Sequence, residues 1–547
     1  MRNLCNEVRW MIDWTRLRSR EIREGKGVCR PGRGERRPSM RGVIKAGRPA
    51  TAAACAVLLA LTACTVGPNY VRPPAVTSAS FKEMDGWKQA EPKDRVLRGK
   101  WWEIFQEPGL NALEEQVNIS NQNVAQAEAQ FRQAKALVQV ARSAYFPTVS
   151  VGPSFTRSFQ TTSPTVQPAP YSLLSLPVEA TWEPDLWGRV RRSVESSRAT
   201  AQATAADLEG ALLSAQTQLA EDYFQLRALD AQKQILDATV EAYGKSLRLT
   251  RNRYEGGIAS RADVLQADTQ LKTTQAQAID VGVQRAQLEH AIAILIGKAP
   301  AGLSLPQEPL EAPPPAIPMS LPSALLERRP DIAGAERRMA SANAQIGVAI
   351  AAFYPNVTLS GAAGYQSTGL SNWLTWPNRL WSFGTSVSEV VYEGGLRRAQ
   401  TEQARAAYDA TVATYRQTVL TGFQEVEDNL AALRILEQEA AVEAAAVTAA
   451  EQSLAVITNQ YESGIVAYLN VITAQTTVLS NRITALNILG RRLTAAVLLI
   501  NALGGGWNAS DLPAGDKLQT ERQGPDGTKA VFPVIPQYYS RSPGGEG

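Results

Sequence analysis

Between Thr148 and Gln160 the chain alternates. Val149, Val151, Phe155 and Phe159 are apolar, with Thr148, Ser150, Ser154, Thr156 and Ser158 between them. A second run, 171–183, sets Leu174, Leu176, Val178, Ala180 and Trp182 against Ser175, Glu179, Thr181 and Glu183. A period of two with one apolar and one polar face predicts half-buried strands or the strands of a membrane barrel. Each run has about ten residues, the length a tilted strand needs to cross a bilayer. The pattern returns at 356–366 (Val357, Leu359, Ala363, Tyr365) and at 380–392 (Trp381, Phe383, Val387). Arg157 falls on the otherwise apolar face of its strand, with no explanation in the pattern. The loop between the later pair carries Trp373 and Trp376, a residue type favoured at membrane interfaces.

Long helices flank these strands. Asn111 to Phe146 reads as a helix stopped by Pro147. No proline interrupts Gly188 to Tyr254 or Gly395 to Tyr461, each 67 residues. A helix of that length is roughly 100 Å long, far beyond the usual globular helix. After the Gly256-Gly257 turn, Asp263 to Gly297 returns for 35 residues, roughly 50 Å. Two half-length helices stacked end to end therefore match one long helix. The lengths predict a helical layer with strands at one end and glycine turns at the other.

The whole arrangement is written twice. A shift of 207 residues puts Tyr254-Glu-Gly-Gly-Ile258 on Tyr461-Glu-Ser-Gly-Ile465, Gly188 on Gly395, Arg285 on Arg492 and Gly297 on Gly504. Upstream a shift of 208 puts Pro147-Thr-Val149 on Pro355-Asn-Val357. The repeats span 111–297 and 323–506, joined by a Pro-rich linker, 298–322. The linker and the tail, 507–547, are expected to wrap the layer midway, with the Gly/Pro-rich end from about Arg522 disordered. Four strands cannot close a barrel, and open strand edges are not tolerated in lipid. Several chains must share one barrel.

Charge points to a leader. The net charge is +4, but residues 1–63 hold 14 Lys/Arg and 5 Asp/Glu, leaving 42 basic and 47 acidic residues behind. A mildly acidic body gives no support for nucleic-acid binding. Residues 40–63 have a positive start (Arg41, Lys45, Arg48) and a short apolar core, Ala50 to Ala63, as in a secretory signal. Residues 1–39 fit no such pattern and read as an extension ahead of the true start, Met40. Leu61-Thr62-Ala63-Cys64 resembles the lipobox of bacterial lipoproteins, which implies acylation of Cys64 at the head of a segment, 64–110. Cys5, Cys29 and Cys55 leave with the leader, so no disulfide is expected.

Catalytic chemistry is not legible. The single histidine, His290, lies in a helix, and no Cys/His metal spacing, phosphate loop or nucleophile elbow occurs. Glu425 and Glu427, or Asp207 and Glu209, sit two apart and diverge on a helix. No cofactor or metal is expected.

Several runs resemble the TolC-like outer-membrane efflux proteins, specifically the NodT-type lipoprotein branch. They are Cys64-Thr-Val-Gly-Pro-Asn-Tyr70, WWEIF from Trp101, LPSALLERRPDIAGAERRMASANAQIGVA from Leu321 and both Tyr-Glu-x-Gly-Ile turns. The resemblance implies a mainly α chain with a transmembrane β-barrel. A homotrimer would form twelve strands in the outer membrane and a twelve-helix periplasmic barrel. It implies a passive duct for drugs or other small toxic compounds, working with a periplasmic adaptor and an inner-membrane RND-type pump. Metal efflux and type I protein secretion share the same body. A coiled-coil adaptor lipoprotein would lack the alternating strands.

In this family the tips, here 254–263 and 461–470, form the periplasmic entrance and meet the adaptor. The resemblance assigns tip roles to Tyr254, Gly257, Tyr461 and Gly464. It makes Leu469 the gate's apolar ring and puts Thr473 where relatives carry an aspartate. Asp263 matches a carboxylate that holds the closed state, or else caps the helix that follows.

Overall fold

The computed structural model describes residues 65–74, 81–83, 99–159, 170–310, 313–315, 317, 325–515 and 517–518, all within one compact unit, Thr62–Gly547. The N-terminal extension, the leader, Cys64, loop 160–169 and the tail from 519 lie outside the described residues.

The proline-free stretches are the long helices. Helix α3 is Arg189–Glu255 and α6 is Leu396–Glu462, 67 residues each. Their returns, α4 (Arg261–Leu295) and α7 (Tyr468–Ala502), have 35 residues each. Before the strands come α1 (Pro108–Ser120) and α2 (Gln122–Ser143) in the first repeat and α5 (Pro330–Ala351) in the second.

The predicted helix from Asn111 to Phe146 is thus two helices, broken at Asn121. Its backbone turns extended, and its side chain accepts from Asn123 N (2.9 Å) and Val124 N (3.1 Å) to cap α2. The same amide donates to Leu295 O at 2.8 Å, tying the break to the end of α4. There Gly297 adopts φ +69, and a Cβ on it would lie 2.2 Å from Ser120 O. The second repeat builds the same joint. Arg329 donates to Ala502 O at 3.2 Å, and a Cβ on Gly504 would lie 2.1 Å from Arg328 O. Half-helices therefore meet end to end at the equator, α2 above α4 and α5 above α7.

Side by side the columns run α2/α4, α3, α5/α7, α6. The largest core lies at the equator, where Trp101, Trp102, Phe105 and Leu110 pack on Tyr223 and Phe224 of α3. The described part of the linker packs here. Arg285 donates to Leu305 O at 2.7 Å and Arg227 to Pro306 O at 2.7 Å, while Asp230 pairs with both arginines. The tail does not stay midway. Leu518 packs with Ala134, Val138 and Ala201, and Pro513 O accepts from Gln202, so the described tail climbs the upper half of α2 and α3.

The N-terminal segment is a strap down the same half. Val66 N donates to Trp187 O at 3.2 Å. Arg192 donates to Val66 O, Gly67 O and Asn69 Oδ1 at 3.2, 3.1 and 2.9 Å. Tyr70 donates to Glu336 at 2.7 Å, and Arg72 to the Tyr415 hydroxyl at 3.0 Å. The Thr65–Tyr70 run is thereby explained as a latch.

The strands form one antiparallel sheet, β1 (Thr148–Val151) and β2 (Ser154–Phe159) beside β3 (Pro170–Trp182), then β4 (Asn356–Ser367) and β5 (Arg379–Ser388). β1 and β2 are one row interrupted at Gly152-Pro153, because both pair with β3 in the same register. Four rows result, as the alternation predicts, the last ending at Ser388 rather than 392. Trp187 joins sheet to helices, donating to Pro355 O at 2.8 Å and stacking on Tyr354.

Candidate functional site

Each long helix ends in a glycine turn with a physical cause. Gly257 (φ +76) donates to Tyr254 O, and Ile258 N reaches back to Arg253 O at 2.8 Å. Gly464 (φ +77) and Ile465 repeat this with Tyr461 O and Gln460 O. The left-handed residue closing both bonds is a Schellman ending, which a Cβ would strain.

The two tips then diverge. Ser260 and Asp263 form a reciprocal capping box, Asp263 Oδ2 accepting from Ser260 N (2.9 Å) and Ser260 Oγ from Asp263 N (3.1 Å). Asp263 therefore serves the start of α4. The second tip has no side-chain cap at Ala467. Tyr254 is 44% exposed, whereas Tyr461 is 5% exposed.

Tyr461 is buried because Arg253 covers it. The guanidinium lies 4.7 Å from the ring centroid and donates to Glu462 O at 2.9 Å. Tyr468 tilts against the same ring, with centroids 5.2 Å apart. Burial pushes the Tyr468 hydroxyl up to about 12. Farther up, Gln475 donates to Ser246 Oγ at 3.0 Å. Val471, Tyr243, Leu247 and Leu271 complete an apolar plug joining both hairpins. The sequence reading missed Arg253. The repeat held a signal, since its counterpart at the 207-residue shift is Gln460.

Leu469 is 57% exposed, and Thr473 lies one turn later on the same face of α7, donating to Leu469 O at 3.0 Å. Thr476 and Thr477 continue this exposed polar stripe. Opposite them Val471, Ala474, Gln475 and Val478 are buried. The arrangement offers an apolar side chain followed by hydroxyls, with no carboxylate at 473.

At the other end, register puts Phe155, Phe159, Leu174, Leu176, Val178, Ala363, Trp381 and Phe383 on one sheet face. Phe155, Phe159, Trp381 and Phe383 are 64, 63, 76 and 74% exposed. Ser154, Thr156, Ser175, Glu179, Ser360 and Ser382 share the opposite face. Apolar outside and polar inside is the pattern of a membrane barrel. In the loop, Trp376 is exposed with Arg379 4.2 Å above its ring.

Among the described residues no cluster suited to a metal occurs, and His290 is exposed on α4. Glu425 and Asp207 pair with Arg329 and Arg338, and Glu427 accepts from Lys82 N and Glu83 N. These carboxylates serve packing.

The sequence model described as outer membrane efflux protein matches residues 113–298 and 321–505, the two repeats. The toluene efflux pump outer membrane protein TtgF of Pseudomonas putida is 30% identical over 84% of this chain and 97% of its own. OprJ, an outer membrane protein of Pseudomonas aeruginosa, is 28% identical over 83% of this chain and 95% of its own. The solved outer-membrane channel OprN is 31% identical, with a TM-score of 0.76 over 81% of this chain and all of its own (100%). These likenesses fit the apolar sheet face and the long helices, and the chain belongs to the outer membrane efflux protein family, whose place is the outer membrane.

Proposed function

We propose that three copies of this chain close one twelve-stranded barrel, continued by twelve helical columns across the periplasm. The observation that carries this is a coincidence of open edges. In the sheet the free edges are β1/β2 and β5; in the helical layer they are α2/α4 and α6. Each connects directly to the other, since α2 leads into β1 and β5 into α6. The helical edges carry exposed apolar residues, Ile279 on one side and Val442 and Val456 on the other. In the most apolar window of α6 only 6% is buried within the chain. Unlike edges on opposite sides close a ring rather than a two-fold pair. Eight strands would fill their own interior, whereas twelve leave an opening.

Thr65 packs on Gly188, at the junction of sheet and shaft. An acyl chain on Cys64 would start at that height, in line with the barrel, which supports lipid anchoring. The glycine tips would meet a periplasmic adaptor, and an RND-type inner-membrane pump would supply the energy to a passive duct. The cargo class is small toxic compounds, in keeping with a relative named for toluene efflux. Two measurements test this. Outer-membrane fractions should yield a heat-resistant oligomer of three chains, and deletion should sensitise cells to solvents or antibiotics. A monomer in detergent, or unchanged susceptibility to every compound, would overturn it.

A further inference from the structure

Arg157 shares a strand face with Phe155 and Phe159, lies opposite Ser172, is exposed, and has no hydrogen-bond or ion-pair partner among the described residues. A charge on a lipid-facing strand is costly except near an interface. Its position two residues before the end of β2 places it close to the outer rim, but a rim position alone does not say what it touches.

The duplication supplies the missing neighbour. Within the first hairpin Thr148 pairs with Thr181, and within the second Asn356 pairs with Ser388. The hairpins therefore superpose, Thr148 on Asn356 and Thr181 on Ser388, with one internal register. Between them β3 meets β4 with Leu174 on Ser367, Leu176 on Tyr365 and Val178 on Ala363. This is the junction of a second strand with the first strand of the following repeat. At the open edges β5 is again a second strand, and the β1/β2 row is again a first strand.

We infer that the junction between copies repeats the junction within the chain. Carrying the β3–β4 register across sets Trp381 opposite Phe159, Phe383 opposite Arg157 and Thr385 opposite Phe155 of the next copy. All six residues lie on the lipid-facing side of their own strands, so the pleat is obeyed. A slip of one residue would set Arg157 against Ser382 or Gly384, which face the polar side of β5, and break the pleat across the junction. In this register the guanidinium stands beside the Phe383 ring, with Trp381 as its diagonal neighbour. Opposite cross-strand partners are close, and diagonal ones remain within reach of long side chains. A cation over an aromatic face is attracted most where water is excluded. The head can still rise toward the rim while its stem covers apolar surface. Arg157 is thus a docking residue that ties each copy to the aromatic pair of its neighbour.

The inference rests on the ring proposed above, and the experiment separates the two. Cysteine does not occur after Cys64, so paired cysteines report contacts cleanly. Thr385→Cys should be combined with Phe155→Cys, and separately with Pro153→Cys or Arg157→Cys, the two-residue slips. Oxidation of outer-membrane fractions should give covalently linked oligomers at least several-fold more abundant for 385 with 155. Stronger linking to 153 or 157, or equal linking to all three, would overturn the register while leaving the ring intact. Absence of any heat-resistant oligomer in the unsubstituted chain would instead sink the ring. Arg157→Gln should lower the temperature at which the oligomer dissociates, and Arg157→Lys should retain most of it. Equal temperatures for the Gln variant and the parent would remove Arg157 from the junction.

Discussion

Arg253 and Tyr461, the last turn of one long helix and of the other, meet with the guanidinium 4.7 Å from the ring centroid. The contact joins the two hairpin tips of a single chain. Its second anchor, the bond from Arg253 to Glu462 O, fixes the end of α6 rather than its side chain. Any movement of one hairpin past the other, as opening of the proposed entrance would require, must break both.

Replacing Arg253 by Gln, the residue at the equivalent position of the second repeat, should therefore loosen the tip. A cation–π contact of about 0.5–2 kcal/mol and a charged hydrogen bond of about 1.5–3 kcal/mol are lost. The open population should rise about tenfold or more, read as larger single-channel conductance in planar bilayers and as sensitivity to large antibiotics. Wild-type conductance in the variant would show that the clamp does not hold the entrance.

Leu469 is exposed one turn before Thr473 on α7. In a three-fold ring it would narrow the pore by an apolar girdle that sheds water. Leu469→Ser should let cells leak large antibiotics and raise conductance. Thr473→Asp should restore a carboxylate ring, visible as block by multivalent cations that the parent channel does not show. A Leu469→Ser channel with parent conductance would take Leu469 out of the gate.

Much of this was legible in the sequence because it depends on spacing. Two proline-free stretches fix the long helices to within one residue, and period-two alternation gives the strands. What escaped depends on side chains acting between distant segments. Asn121 breaks its helix with a cap rather than a proline, so the run to Phe146 reads as unbroken; in the second repeat Arg329-Pro330 makes the same joint visible. Asp263 reads equally as lock or cap, and its bonds to Ser260 settle its local role. Arg253 looks like an ordinary helix-end cation until the fold brings Tyr461 beneath it.

The equatorial joints should be intolerant of even one methyl group. A Cβ on Gly297 would lie 2.2 Å from Ser120 O, and one on Gly504 2.1 Å from Arg328 O, both against backbone. Both glycines also hold positive φ, which costs an L-residue about 1–2 kcal/mol. Gly297→Ala and Gly504→Ala should each lower the thermal midpoint of the assembled protein and its yield in the outer membrane. Gly302→Ala, with nothing within 4 Å of its Cβ, is the matched control and should behave as the parent. Equal midpoints for all three would mean the joints yield more readily than their geometry implies.

Glu114 makes the stability of the equator depend on pH. It lies on α1, fully buried at 0% exposure, and neither carboxylate oxygen has a hydrogen-bond partner among the described residues. Burial holds its carboxyl well above the usual carboxylate range. Below the unfolded-state pKa, about 4.3, folded and unfolded chains both carry the proton and no penalty arises. As pH rises past that value the unfolded chain releases its proton while the folded chain keeps it. Stability must fall until the folded pKa is passed, because the unfolded state then binds fewer protons. Glu114→Gln cannot titrate, so its stability should decline less between pH 4.5 and 8 than that of the parent. Thermal unfolding followed by circular dichroism across that range measures the two slopes, and parallel curves would exclude Glu114 as their source.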